Sequence, residues 1–222
     1  MSTVAVARFY DSTIGKKAIM ALTGIILVGF LVAHMLGNLQ VFLGPAVMNH
    51  YAESLHATPA LLWTVRVVLL MSVLLHAWAA VQLTTVKSAA RPVAYIKPSN
   101  VQGTPGSRTM MLSGPVIGLF VVGHLLHLTT GTIHPQFVEL HAFENVVLGF
   151  SNPIAALLYI VAMVLVGFHL SHGIWSAFQS IGFSHPRYTP LIRKFSVIFS
   201  WLLIAGFISV PISVLTGIVR NP

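Results

Sequence analysis

Apolar residues along this chain fall into five long runs separated by short polar connections. Each run is long enough to cross about 30 Å of hydrocarbon as a helix that rises about 1.5 Å per residue. The pattern therefore predicts an all-α integral membrane protein, a single domain over residues 1–222. The predicted membrane helices cover residues 16–43, 60–86, 109–131, 153–182 and 191–218. The residues expected to cap them are Asp11-Ser12-Thr13, Thr58-Pro59, Ser107 and Ser151-Asn152-Pro153.

The composition supports a membrane location and excludes several kinds of chemistry. Of the 222 residues, 56% are hydrophobic and only 7% are charged, whereas about a quarter of a soluble domain is charged. The net charge of +8 comes from basic residues in short connections, so we expect no nucleic-acid partner. The absence of cysteine excludes disulfides, thiolate-held iron–sulfur clusters and covalent haem attachment within this chain. The long polar opening, without a later cleavage site, predicts no removable signal peptide.

The connections also predict how the chain is oriented. The first and third connections, 45–59 and 132–152, contain no Lys or Arg, and their acidic residues are Glu53, Glu139 and Glu144. By the positive-inside rule, the N-terminus is cytoplasmic and the C-terminus is outside. The second connection, KSAARPVAYIKPSNVQGTPGSR, is either a docking surface for a partner or a solvated linker. The basic residues on the predicted cytoplasmic side are Arg8, Lys16, Lys17, Lys87, Arg91, Lys97, Arg108, Arg187, Arg193 and Lys194.

Six of the eleven histidines lie in the predicted membrane helices. Polar side chains at membrane depth are costly and are usually paired or functional. His34 and His124 lie 17 and 16 residues beyond the basic residues that precede their helices, so both fall in the outer half of the membrane, roughly 24 to 26 Å along. His76 and His169 lie 11 and 13 residues before the cytoplasmic ends of theirs, in the inner half.

Two pairs at two depths, each drawn from two helices, match bis-histidine ligation of two b-type haems. A four-helix bundle can hold such cofactors between facing helices, and neutral imidazole is a common axial ligand of haem iron. We therefore predict a four-helix haem-binding bundle with a fifth helix beside it. Because both axial positions would be filled, the iron would carry electrons rather than bind a substrate.

Two more histidines lie one helical turn from these candidates. His127 is one turn outward of His124, and His172 one turn inward of His169. Each could contact a haem propionate, replace its neighbour as the ligand, or be a polar interface residue; the depths favour His124 and His169 as ligands. Glycines in these helices would admit a flat macrocycle, although ordinary helix packing is the preferred interpretation. They are Gly24, Gly29, Gly37, Gly118, Gly123, Gly167 and Gly173.

Stretches from nearly every predicted helix resemble one known family. They are STIGKKAIMALTG, FLVAHMLGNLQVF, NHYAESL, LLHAWAAVQL followed by ARPVAY, GLFVVGHLLHLT and FHLSHGIWSAFQSIG. In this order they are similar to the five-helix, di-haem cytochrome b (b558-type) membrane anchor of bacterial succinate:quinone oxidoreductases. The resemblance implies that His34 and His124 ligate the haem distal from the hydrophilic subunits, and that His76 and His169 ligate the proximal haem.

The resemblance also implies partners and a location. A flavoprotein (FAD) subunit would oxidise succinate, and an iron–sulfur subunit would pass the electrons to this chain, both on the cytoplasmic side of the bacterial inner membrane. Membrane lipid and quinone, menaquinone by preference, would contact the chain, and the oligomeric state of the complex stays open. Some relatives use an acidic residue two positions before the fourth-helix ligand for proton movement. Here that position is Gly167, so such a route is not expected.

A quinone site is less well defined by the sequence. Glu53 in the first outer connection, with Asn38 and Gln40 at the outer end of the first helix, forms a candidate cluster for quinone contact and proton handling. A solvated loop carboxylate is an equally good interpretation of Glu53.

Three other function classes also use intramembrane histidines. The di-haem cytochrome b of a hydrogenase or formate dehydrogenase would share the spectrum but not the succinate activity. A membrane diiron enzyme needs HxxHH spacing, which this chain lacks, and histidines at a single depth. A transporter or proton channel would show no visible absorbance.

Overall fold

The computed structural model describes residues 9–90 and 103–221, and within these ranges it contains helices and no strand. Arg8, Arg91 and Lys97, and most of the second connection, lie outside the described residues. The helices, numbered here in chain order, are α1 (Thr13–Leu39, continued by a 3-10 turn at Gln40–Leu43), α2 (Pro45–His56), α3 (Pro59–Ala89), α4 (Pro105–Leu128), α5 (Ala142–Ser151), α6 (Pro153–Ser180) and α7 (Thr189–Leu215).

Five of these helices are long and apolar enough to cross a membrane. They are α1 with its 3-10 extension, α3, α4, α6 and α7, and they span 24 to 31 residues. The prediction of a multi-pass, all-helical membrane protein is confirmed at this level, and each predicted span overlaps one helix. We call the end of the bundle where α1 begins the N-side, and the opposite end the C-side.

Capping explains where the long helices begin. Ser12 and Asn152 cap α1 and α6 as predicted, each accepting hydrogen bonds from backbone N–H groups of the first turn. The prediction for Ser107 was wrong. Helix α4 begins earlier, at Pro105, and the Thr104 hydroxyl accepts the Ser107 N–H at 3.1 Å. Proline favours the first helical position because its fixed φ suits the helix and its missing N–H would be unpaired there.

The first and third connections are not simple loops, contrary to the sequence-based expectation. Helices α2 and α5 lie within them and are joined by Asn49, whose amide donates to the Glu144 carboxylate at 2.8 Å and accepts from the Phe143 N–H at 2.9 Å. Apolar side chains of α5 and of the C-side ends of α6 and α7 form one buried cluster with Val41 and Met48. The C-side end of the bundle therefore has a packed core of its own.

Four membrane helices form an open square. Helix α1 packs against α3 and α6, and α6 packs against α4. Between these helices, in the described part of the chain, α3 and α4 do not pack closely, and neither do the two diagonal pairs α1–α4 and α3–α6. Helix α7 lies outside the square against α6 and α1. The square thus has three closely packed edges and space along its diagonals. The fourth edge, between α3 and α4, is loosely packed and is bridged near the N-side by the Thr84 hydroxyl, which lies 3.5 Å from the Met111 sulfur.

Candidate cofactor site

Each diagonal of the square carries one pair of histidines. His34 of α1 and His124 of α4 form the C-side pair, with ring centres 5.7 Å apart. His76 of α3 and His169 of α6 form the N-side pair, with ring centres 6.3 Å apart. The four histidines that the sequence predicted as haem ligands are thus brought together in the combinations predicted.

The two pairs lie about three helical turns apart. On α1, Gly24 marks the level of the N-side pair, because a Cβ at this position would lie 3.5 Å from the His76 ring. His34 follows ten residues later, which corresponds to about 15 Å along the helix. Two cofactors held by these pairs would therefore be stacked along the bundle axis.

The protein fixes the tautomer of His76. Its Nδ1 lies 3.1 Å from the Met20 carbonyl oxygen and 3.2 Å from the Thr23 hydroxyl. A carbonyl only accepts, so Nδ1 donates and Nε2 keeps its lone pair. Thr23 is suited to accept as well, since its own hydroxyl proton is used on the Ile19 carbonyl at 2.7 Å.

The second member of the N-side pair has an equivalent contact. His169 Nδ1 lies 3.2 Å from the hydroxyl of Ser113 on α4. Ser113 is fully buried and donates to the Met110 carbonyl, leaving its oxygen to accept from Nδ1. In metal sites a ligating histidine almost always donates its other ring N–H in this way, because the bond fixes the ring and raises its basicity.

Tyr159 of α6 takes the corresponding place at the C-side pair. Its hydroxyl lies 3.4 Å from His124 Nδ1 and 3.0 Å from His127 Nδ1. The hydroxyl can donate to at most one of the two rings and can accept from either; acceptance from His124 leaves Nε2 of that ring free. His34 is positioned by aromatic packing, with Phe30 stacked at 5.2 Å and Phe207 at 5.8 Å between ring centres.

His127 lies in a packed cluster rather than on the diagonal. Its ring is stacked on His134 at 5.1 Å and is almost fully buried. His134 is held in turn by the Asn145 carbonyl, to which its Nε2 donates at 3.0 Å. A Cβ on Gly149 would lie only 3.0 Å from the His127 ring. The protein itself therefore surrounds His127 closely.

His172 has a different setting, in a groove on the outside of the square. The groove holds about 210 Å³ and lies where α4 begins against α6 and α7. Across it, the Arg193 guanidinium lies 4.5 Å from the centre of the Trp175 ring. His172 therefore lies between the N-side pair and a groove with both apolar and basic walls.

The three candidate quinone residues have different surroundings. The Asn38 amide donates to the His34 carbonyl at 2.8 Å, at the level of the C-side pair. Gln40 Oε1 is buried without a hydrogen-bond partner among the described residues. Glu53 lies on α2 with its side chain 59% exposed, 3.9 Å from His50. Asn38 and Gln40 thus stay close to the bundle, whereas Glu53 is a surface carboxylate.

The glycines divide between packing and open space. Gly37 and Gly167 permit close packing against Tyr51 and Trp201. A Cβ on Gly29, Gly118, Gly123 or Gly173 would meet nothing within 4 Å. Gly173 is four residues from His169 and hence on nearly the same face of α6, where it leaves room beside the N-side pair.

The residues present fit a metal held between two imidazoles. A metal–nitrogen distance of about 2.0 Å on each side places two ring centres on the order of 6.3 Å apart, close to the spacing of the N-side pair. The C-side rings are slightly closer together. Within residues 9–90 and 103–221, no group of three or more His, Asp or Glu side chains converges as a metal site.

Sequence reasoning missed three residues of these sites, namely Thr23, Ser113 and Tyr159. Spacing gives their depth in the bundle but not the ring that each one contacts. Thr23 lies 11 residues before His34, Ser113 lies 11 before His124, and Tyr159 lies 10 before His169. About three helical turns separate each polar residue from the histidine of its own helix, which is the distance between the two pairs. Each of these three helices, α1, α4 and α6, thus carries a histidine for one pair and a polar contact for the other.

The fold and this site define a multi-pass helical membrane protein with paired histidines on the diagonals of an open bundle. Comparison with protein-family models, with curated proteins and with solved structures finds no match to this chain. The assignment of function therefore rests on the residues and their geometry, together with the sequence motifs described above.

Proposed function

We propose that this chain is a di-haem cytochrome b that anchors succinate:quinone oxidoreductase in the bacterial inner membrane. The observation that carries the proposal is the pairing of four histidines across two diagonals, about 15 Å apart along the bundle. A single buried histidine is commonly a structural residue. Two pairs, each with its ring centres about 6 Å apart and each at its own depth in the bundle, favour cofactor ligation.

The side chains of the two pairs would each present one Nε2 lone pair to a shared iron. When bound, each haem iron gains and loses one electron and so relays electrons along the stack. Met20, Thr23 and Ser113 would hold the N-side imidazoles as Nδ1–H tautomers, and Tyr159 would do the same for His124. Because two imidazoles would hold each iron, neither site would leave a position for oxygen or substrate.

In this proposal electrons enter on the cytoplasmic N-side from an iron–sulfur subunit, which receives them from a flavoprotein subunit that oxidises succinate. They leave at the C-side to menaquinone, for which Asn38 and the unpartnered Gln40 amide are the candidate contacts. Such a path moves charge across the membrane, which is worth about 2.3 kcal/mol per electron per 100 mV if it crosses the full potential.

A haem measurement on the purified chain tests the proposal. We expect a reduced-minus-oxidised spectrum of b type and two protohaems per chain by the pyridine haemochrome assay. Absence of haem from protein that is folded by circular dichroism would overturn it.

A second measurement separates this function from that of a hydrogenase or formate dehydrogenase anchor. Succinate should reduce the haems in membranes that contain the whole complex, and a flavoprotein and an iron–sulfur subunit should co-purify with the chain. Reduction by hydrogen or formate, with no response to succinate, would assign the chain to one of those complexes instead.

A further inference from the structure

Three of the four helices carry a polar residue that contacts a histidine of the other pair, that is, the pair to which their own histidine does not belong. The fourth helix, α3, carries a polar residue at the corresponding level, but no role has yet been described for it. Thr23 contacts His76, Ser113 contacts His169, and Tyr159 contacts His124. On α3 the residue in the same relation is Arg66, ten positions before His76. Tyr159 is separated from His169 by the same ten residues.

Arg66 lies at the depth of the C-side pair. Ten residues of α3 correspond to about 15 Å from His76 towards the C-side. Ten residues of α1 separate Gly24, which lies against His76, from His34. The two antiparallel helices thus bring Arg66 and His34 to the same level.

The helical period places Arg66 on the open side of α3. At 100° per residue, Arg66 is about 80° around the helix from His76. The buried small residues Ser72 and Ala79, on the packed side of α3, lie about 40° and 60° in the other direction. Since His76 points along the diagonal to α6, and α1 lies on one side of that direction, Arg66 lies on the side of α4.

The charge of Arg66 is not neutralised within the protein. Its guanidinium lies 5.1 Å from the ring centre of Trp63, one turn away, and it forms no salt bridge in the described part of the chain. All four acidic residues of the chain, Asp11, Glu53, Glu139 and Glu144, lie outside the five membrane helices. An arginine at membrane depth is costly and normally has an anionic partner.

We infer that Arg66 binds the carboxylate groups of the cofactor held by the C-side pair. This inference rests on the proposed function and deepens it. The planar guanidinium can form two parallel hydrogen bonds to one carboxylate. His127, the residue first considered for this role, is already bonded to Tyr159 and stacked on His134. The one contact described for the Arg66 guanidinium is with the Trp63 ring, which leaves its N–H donors free to bind a carboxylate.

The test is a redox titration of the b-type absorbance in purified wild-type, R66Q and R66K proteins, with R220Q as the matched control. Arg220 is an exposed arginine at the C-side end. A fixed positive charge stabilises the reduced form, so R66Q should move one of the two midpoints to a more negative potential and leave the other unchanged. R66K should move it less, and R220Q should move neither. In H76A protein, which would keep only the C-side haem, R66Q should shift the single midpoint.

Other outcomes separate the alternatives. Unchanged midpoints in R66Q, together with fewer phospholipids per chain by phosphorus analysis, would overturn the inference and assign Arg66 to a lipid headgroup. If R66Q does not accumulate, R66M replaces it, and unchanged midpoints in every variant that accumulates would also overturn the inference. Wild-type protein without haem would instead refute the proposed function, before any variant is compared.

Discussion

The N-side and C-side histidine pairs use the same four helices but are held by different kinds of neighbour. At the N-side, a backbone carbonyl and two small hydroxyl groups hold the rings, and all of them belong to the membrane helices themselves. At the C-side, a tyrosine bridges two histidines, and an aromatic and apolar core joins this level to the short helices α2 and α5. The first pair depends on contacts between the membrane helices alone, whereas the second also depends on packing with the connections.

Removal of a histidine proposed to ligate haem iron should have the largest effect on haem content. Each such variant should lose the haem of its own pair and keep the other. We expect His76→Ala to lower the haem content from two per chain to one, and His34→Ala to remove the other haem. Pyridine haemochrome analysis with redox titration measures both the number lost and its identity. His185→Ala, an exposed histidine in the connection before α7, is the control and should retain both. Loss of the C-side haem in His127→Ala but not in His124→Ala would exchange the roles of those two residues.

A steric change at the start of α4 should weaken the contact between α4 and α6, next to the N-side pair, and so lower the stability of the protein. A Cβ on Gly106 would lie 2.6 Å from the Phe168 carbonyl oxygen of α6, and backbone atoms cannot move aside cheaply. Gly106→Ala should therefore destabilise the protein by about 1–3 kcal/mol, as overpacking does. Thermal unfolding in detergent measures it. Gly123→Ala, where a Cβ meets nothing within 4 Å, should unfold like wild type; equal loss in both would show that the α4–α6 contact is not the cause.

Separation of α2 from α5 should affect the C-side pair instead. Asn49→Ala removes two hydrogen bonds between these helices, at a cost of about 2 kcal/mol. We expect a lower unfolding temperature and a broadened C-side haem signal in electron paramagnetic resonance, with the N-side signal unchanged. Ser54→Ala, an exposed position on the same helix, is the control. A change confined to the N-side signal would contradict this assignment of the connection core.

The smallest effects should come from the hydroxyl groups that contact the rings. Tyr159→Phe removes the hydrogen bonds to His124 and His127, and Ser113→Ala removes those to His169 and the Met110 carbonyl. Each bond within the membrane is worth on the order of 0.6 kcal/mol, so the fold should persist. Tyr159→Phe should shift the midpoint of the C-side haem alone, and Ser113→Ala that of the N-side haem alone. Identical shifts of both haems in the two variants would mean that neither hydroxyl acts on a particular ring.

Much of this arrangement could be predicted because a membrane helix is nearly straight and rises by a constant amount per residue, so that sequence distance gives depth. The lengths of the apolar runs gave the five helices, and counting from the basic connections placed His34 level with His124. The rise per residue does not show which residue of a neighbouring helix contacts a given side chain. Tyr159 therefore looked like any aromatic residue in an apolar helix until α6 was seen to pack on α4.

The short helices were missed for a different reason. Pro45 marks the beginning of α2, but a twelve-residue helix is marginal in isolation. The residues that stabilise α2 and α5 are distant in sequence: Asn49 is bonded to Phe143 and Glu144. Tertiary contacts of this kind leave no periodic signal. The absence of an acidic partner for Arg66 likewise becomes meaningful only when the neighbours of α3 are known.

The loosely packed edge between α3 and α4 bears on how such a protein could be assembled in the cell. Helix α3 is held mainly by α1, so the hairpin of α1 and α3 can insert early during synthesis, before α4 emerges. A flat, oily molecule could then reach both histidine pairs sideways from the surrounding bilayer, without passing through either aqueous face.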